Sequence, residues 1–146
     1  MPDEPLGDDA LDFWIGTWHV SWAGGGQGTN TIRRILDDRV IEESFDGRDA
    51  ESRLIGRSLS VRDAADDRWR QTWVDSTGAY LEFDGVEVDG RIAFVRSKTV
   101  DHRVVHDRMV WLDVTSDSLR WQWQRSRDGE ASWDLTWQID YRRTER

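Results

Sequence analysis

From Gly16 onward the sequence alternates apolar and polar residues with a period of two, and no apolar stripe of period 3.6 runs longer than two turns. This pattern constrains the fold more than any other feature. It suits half-buried strands and leaves a helix no continuous face to bury. Turn signals punctuate it: Asp37-Asp38, the run DAADD at 63–67, Ser76-Thr77-Gly78, Asp89-Gly90, Thr115-Ser116-Asp117 and Asp128-Gly129. Strands are expected between these signals, over 16–23, 28–36, 39–46, 53–62, 68–75, 79–86, 91–98, 103–113, 118–125 and 132–142. No crossover helix separates them. The expected fold is all-β, a meander of eight to ten antiparallel strands. So long a meander hides its edges by closing on itself or by splitting into stacked sheets.

Tryptophan decides between those outcomes. The chain has ten, and large aromatics carry about 150–250 Å² of buriable surface each. Side chains two or four apart on a strand share a face. Trp18 and Trp22 do so, as do Trp69 and Trp73, Trp121 and Trp123, and Trp133 and Trp137. The last strand continues through Leu135, Ile139 and Tyr141, with Ser132, Asp134, Thr136, Gln138 and Asp140 opposite. One wet face and one packed face fit a closed or nearly closed up-and-down barrel with an apolar lumen. In strand 103–113 the Met109 and Trp111 face is expected inward. A short helical turn is expected over Ala10 to Ile15. Residues 1–10 read as a flexible acidic leader and 11–146 as a single domain.

The chain of 146 residues has a net charge of −9 and no cysteine. The acidity argues against nucleic acid or an anionic membrane as partner. Lack of cysteine rules out disulfides and thiolate chemistry and fits a cytoplasmic location. No apolar run is long enough for a membrane-spanning helix. The glycine-rich run Gly24-Gly25-Gly26-Gln27-Gly28 has no Lys-Ser/Thr after it and no helix pattern following, so it reads as a strand-to-strand corner rather than a phosphate loop.

Gly16-Thr17-Trp18 resembles the G-x-W motif that opens the first strand of lipocalins and their calycin relatives. With RWRQTWVDSTGAYLEF and MVWLDVTSDSLRWQWQRSRDGEASW, most of residues 12–142 resemble an uncharacterised bacterial lipocalin-like family. The resemblance implies that Gly16, Trp18 and a basic residue of the last strand close one end of the barrel, the Trp packing under the basic group. Arg143, on the face of Tyr141, is that residue. A second resemblance is to nitrobindin-type ten-stranded haem barrels, which use a proximal His late in the chain. His106 is the last histidine here and so the one haem-ligand candidate. Ser126 to Trp133, SRDGEASW, approximates an Asp-box hairpin, a structural turn.

Polar residues on the apolar face mark the candidate site, because burying them unpaired is unfavourable. Glu43 lies between Ile41 and Phe45 and is the candidate catalytic acid or base. A two-residue turn at Asp37-Asp38 sets Arg34 opposite Ile41, diagonal to Glu43, within reach of an ion pair. Gln71 lies between Trp69 and Trp73, and Arg96 shares a face with Ile92 and Phe94. The expected ligand-binding set is Trp22, Arg34, Glu43, Gln71, Trp73, Arg96, Trp111 and Trp121. The expected function is binding of an apolar or aromatic small molecule in a Trp-lined cavity. The alternatives are an isomerase, cyclase or hydrolase using Glu43, and a haem barrel using His106. No cofactor or metal ion is expected under the first two readings, and a second copy of the chain is a candidate partner. His19 is expected to face solvent and His102 to sit in a turn. No spacing here matches a zinc site.

Overall fold

A computed structural model of the chain describes residues 6–48, 50, 51 and 53–146. A 3₁₀ turn (Asp12–Trp14) leads into β1 (Gly16–Trp22), β2 (Gly26–Ile35), β3 (Val40–Gly47), β4 (Leu54–Asp63) and β5 (Arg68–Asp75). Then follow β6 (Tyr80–Val88), β7 (Arg91–Val100), β8 (Arg103–Leu112), β9 (Ser118–Ser126) and β10 (Asp134–Glu145). Every strand pairs antiparallel with its neighbours in sequence, and β10 pairs with β1, so the sheet closes into one barrel. Among the described residues no helix is long and apolar enough to cross a membrane. Residues 1–5 of the expected leader lie outside the described residues; Leu6 packs against the core, and the Gly7 carbonyl accepts the Trp69 indole N–H at 3.0 Å.

The corners follow the turn chemistry. Asp37 and Asp38 fill the centre of a turn closed by Arg39 N–H donating to the Leu36 carbonyl, 3.2 Å. Both have positive φ, 58° and 63°, a backbone that Asp tolerates better than most residues. This sets Arg34 opposite Ile41. The glycine run supplies the β1–β2 corner, with Gly24 and Gly25 at φ of 86° and 81°.

Period two places Trp18, Val20 and Trp22 inward on β1, Trp69, Gln71 and Trp73 on β5, and Val105, Asp107, Met109 and Trp111 on β8. One expectation fails. A bulge between Leu135 and Trp137 breaks the alternation on β10. Leu135 pairs with Gln124 and is 56% exposed, while Trp137 pairs with Trp123 and turns inward. Trp133 therefore does not share the face of Trp137; its ring lies 4.0 Å under the Arg108 guanidinium. An extra residue in one strand shifts every side chain before it to the other face.

One end of the barrel is plugged. Leu11 and Trp14, from the segment before β1, are buried there with Trp18, and the Trp18 indole donates to the Trp14 carbonyl at 2.9 Å. Arg143 lies 4.1 Å over the Trp18 ring. Its guanidinium donates to the carbonyls of Phe13 (3.1 Å), Ser116 (2.7 Å) and Ile15. A Cβ on Gly16 would fall 2.3 Å from that guanidinium and 2.7 Å from the Glu145 carbonyl. Only glycine, at a φ of 138°, fits beneath the latch.

Candidate functional site

Above the plug the lumen holds a cavity lined by six tryptophans, Trp14, Trp73, Trp111, Trp121, Trp123 and Trp137, with Phe45, Phe83 and Tyr141. Its volume accessible to water-sized molecules is about 90 Å³, room for several ordered waters. The rings meet edge to face: Trp121 and Trp137 at 5.8 Å and 90°, Trp14 and Trp111 at 5.1 Å and 63°. That geometry is the favoured one for aromatic pairs and fixes the shape of the wall. Trp73 reaches the lumen because residue 56 is glycine; a Cβ there would sit 2.2 Å from the Trp73 ring.

Glu43 lines the deep part of this cavity and is 7% exposed. Its partners are neutral. Ser58, opposite it on β4, donates its hydroxyl at 2.7 Å, and Asn30 on β2 donates its amide at 2.8 Å. The same amide nitrogen donates to the Tyr141 hydroxyl at 2.8 Å. Burial raises the Glu43 pKa and outweighs the two hydrogen bonds, which lower it. Burial, and then the Glu43 charge, push the Tyr141 phenol up, so it stays neutral. The Asn30 amide oxygen is buried without a donor. Turning that amide over would place its oxygen against Glu43 and Tyr141, an arrangement suited to a protonated Glu43 and a donating phenol. The triad thus accommodates either protonation state of the carboxyl.

Gln71 also lines the cavity and donates to Ser60 at 2.9 Å. At the rim Asp75 accepts from the Trp73 indole (2.8 Å), the Thr77 amide (2.8 Å) and the Thr77 hydroxyl (2.6 Å). Burial raises its pKa, but these donors outweigh burial and hold the carboxyl below its ordinary range. The indole N–H of Trp111 is buried without a hydrogen bond, while those of Trp14 and Trp123 lie buried near the Tyr141 hydroxyl and the Asp107 carboxylate.

Of the expected binding residues, Glu43, Gln71, Trp73, Trp111 and Trp121 come together on the cavity wall. Trp22 stands behind it, edge-on to Trp137 at 5.6 Å and 5.9 Å from Phe45. Arg34 does not pair with Glu43. It sits at the plugged end, bound to the Asp12 carboxylate and to the carbonyls of Asp38 (3.0 Å) and Asp8 (3.2 Å). Strand pairing predicts its register correctly, but the segment before β1 supplies nearer anions. Arg96 stands opposite Asp107 on the inward face of β7, nearer the rim. His106 is on the outer face of β8, between the inward-facing Val105 and Asp107. Among the described residues no histidine lines the cavity.

Asn30, Ser58 and Tyr141 were not among the expected binding residues. Ser58 follows from the β3–β4 register, and Asn30 is the polar residue on the Gly28–Ile32 face. Asp107 is a further omission. It is fully buried and bound by Arg125 at 2.8 and 3.2 Å. Burial raises its pKa, but the Arg125 guanidinium, with the Trp123 indole, outweighs this and keeps it ionised.

Fold and site define a class: a closed ten-stranded antiparallel barrel with an aromatic cavity around a buried carboxyl. No family model matches the chain, and no curated protein matches it.

Proposed function

We propose that this protein is a calycin-like barrel that binds an apolar or aromatic small molecule in its tryptophan-lined cavity. The observation that carries the reading is the cavity itself: six indole rings around a void, with Glu43 and Gln71 as its inner polar groups. Concave, mostly aromatic sites with a few fixed polar groups are the general form of small-molecule sites. The polar side chains orient the ligand and the rings supply contact area. Native mass spectrometry of freshly purified protein tests this first, followed by titration with Nile red, a neutral dye. A retained small molecule, or saturable dye binding that quenches tryptophan fluorescence and is lost in Trp121→Ala, is the expected result. A bare mass together with no dye binding would overturn the reading and leave a solid core.

A second reading is supported by Glu43 in particular. A carboxyl raised in pKa by burial, beside a phenol and an amide, suits general acid or base chemistry on a bound metabolite. Under it, Glu43→Gln abolishes turnover of a candidate substrate while leaving its binding in place. Equal loss of both would return Glu43 to a binding role.

A further inference from the structure

Building on the ligand-binding reading, we propose that the cavity is selective for organic cations: an ammonium group carried on an aromatic or alkyl body, with its nitrogen against Glu43 and the tryptophan rings around it. Three observations converge on this chemistry. First, among the described residues every ionisable side chain on the cavity wall is acidic: Glu43, Asp75 and Tyr141, with no Lys, Arg or His beside them. Second, Glu43 is enclosed yet its partners, Asn30 and Ser58, are neutral donors. A buried carboxylate normally has a cation beside it. Here none of the described residues supplies one, and a ligand ammonium would fill that role. Third, indole faces attract cations most strongly of the aromatic side chains, more so where water is excluded. Six indoles form this wall.

The nearby basic side chains do not reverse the argument. Arg96, Lys98 and Arg125 lie on inward positions of β7 and β9 toward the rim, and none lines the cavity. Arg125 is tied to Asp107, which is also within the field of Lys98. At the mouth itself, four side-chain and backbone donors, from Trp73, Thr77 (two) and Ala79, hold Asp75 ionised. The net charge of −9 further favours the approach of a cation.

Three probes of one shape and different charge make the test: 2-phenylethylammonium, 2-phenylethanol and phenylacetate. Binding is read from tryptophan fluorescence, excited where the probes do not absorb, with Nile red as the control for the cavity. The expected result is ammonium binding about tenfold or more tighter than the alcohol, the scale of a desolvated cation–π and ion-pair contribution, with phenylacetate weakest. Glu43→Gln should remove the ammonium preference, so that the ammonium binds no tighter than the alcohol. Alcohol or phenylacetate binding as tightly as the ammonium would overturn the proposal while the cavity reading stands. So would an ammonium preference that survives in Glu43→Gln, since Glu43 would then not be the partner. If Nile red and all three probes fail to bind, the cavity reading falls and the proposal with it. The wild-type ranking decides the charge question without any variant.

Discussion

At the plugged end, three arginines tie the segment before β1 to the barrel: Arg34 to Asp12, Arg62 to Asp8 and Arg143 to the carbonyls of Phe13, Ile15 and Ser116. In the cavity, a buried carboxyl meets only an amide and a hydroxyl. Both regions are built on tryptophan. They differ in how charge is treated. The plug matches each of these three guanidinium groups with acceptors from its own chain. Among the described residues, the cavity leaves a carboxyl without a cation beside it and the Trp111 indole N–H without an acceptor. Charges matched within the chain serve stability, while a buried carboxyl with no cation beside it is suited to meeting another molecule.

If this division is right, the largest stability losses belong to the plug. Trp18 is fully buried and bridges the 3₁₀ turn, Tyr141 and Arg143. Trp18→Ala should cost about 3–5 kcal/mol, the range for truncating a buried large aromatic. Urea unfolding measures it, and a loss below about 1 kcal/mol, a typical surface-scale effect, would mean the plug is not what holds the barrel. Arg143→Met should cost less, about 1–3 kcal/mol, because its hydrogen bonds are charge-assisted but partly solvated. Arg143→Lys should recover little of that, since a single ammonium reproduces neither the fork of donors nor the stacking on Trp18.

The strands were legible in the sequence for one physical reason, that alternation and turn chemistry act locally, whereas the closure by Gly16, Trp18 and Arg143 was expected from the G-x-W resemblance. All ten strands fall within a few residues of the punctuation that predicts them. What stayed hidden is what local pattern does not encode. The β10 bulge is one unpaired residue, and it moved Leu135 and Trp133 outward. Glu43 was readable as a polar residue on an apolar face. Its partner was not, because Arg34 lies at a strand end where Asp12, 22 positions away, outcompetes it. The Asn30–Tyr141 contact spans 111 positions and depends on β10 closing against β1 and β2.

In the cavity the same comparison predicts a gain rather than a loss. Burial raises the Glu43 pKa from its ordinary 4.5, so the folded chain holds this proton more tightly than the unfolded chain. The stabilising contribution is present in full below pH 4.5 and is lost as pH rises through the folded value. Glu43→Gln keeps a group of the same shape without the charge. At pH 8 it should be more stable than wild type by about 1 kcal/mol, the scale of an incompletely compensated buried polar group. At pH 4 the gain should shrink toward zero. Thermal melts across that range check the sign. A variant less stable than wild type at pH 8 would place Glu43 with the self-sufficient groups of the plug.

The smallest effect is expected at a site that belongs to neither region. Asp128, in the β9–β10 hairpin, accepts from the Ser132 hydroxyl, the Ser132 amide (2.9 Å) and the Ser126 hydroxyl (2.8 Å). These donors, the Ser132 hydroxyl first, bring its pKa down to about 2. The contribution is therefore present above the ordinary carboxyl value of 3.8 and fades as pH falls toward 2. Because the carboxylate is solvent-exposed, Asp128→Asn should lower the melting midpoint at pH 7 by less than any plug variant, and the difference from wild type should narrow on acidification. Binding of the phenylethyl probes should not change. A shift in their affinity would mean that the hairpin at the open rim is coupled to the cavity, because Ser126 ends the strand that carries Trp121 and Trp123. The division would then lie between the plug and the whole open half of the barrel rather than between the plug and the cavity alone.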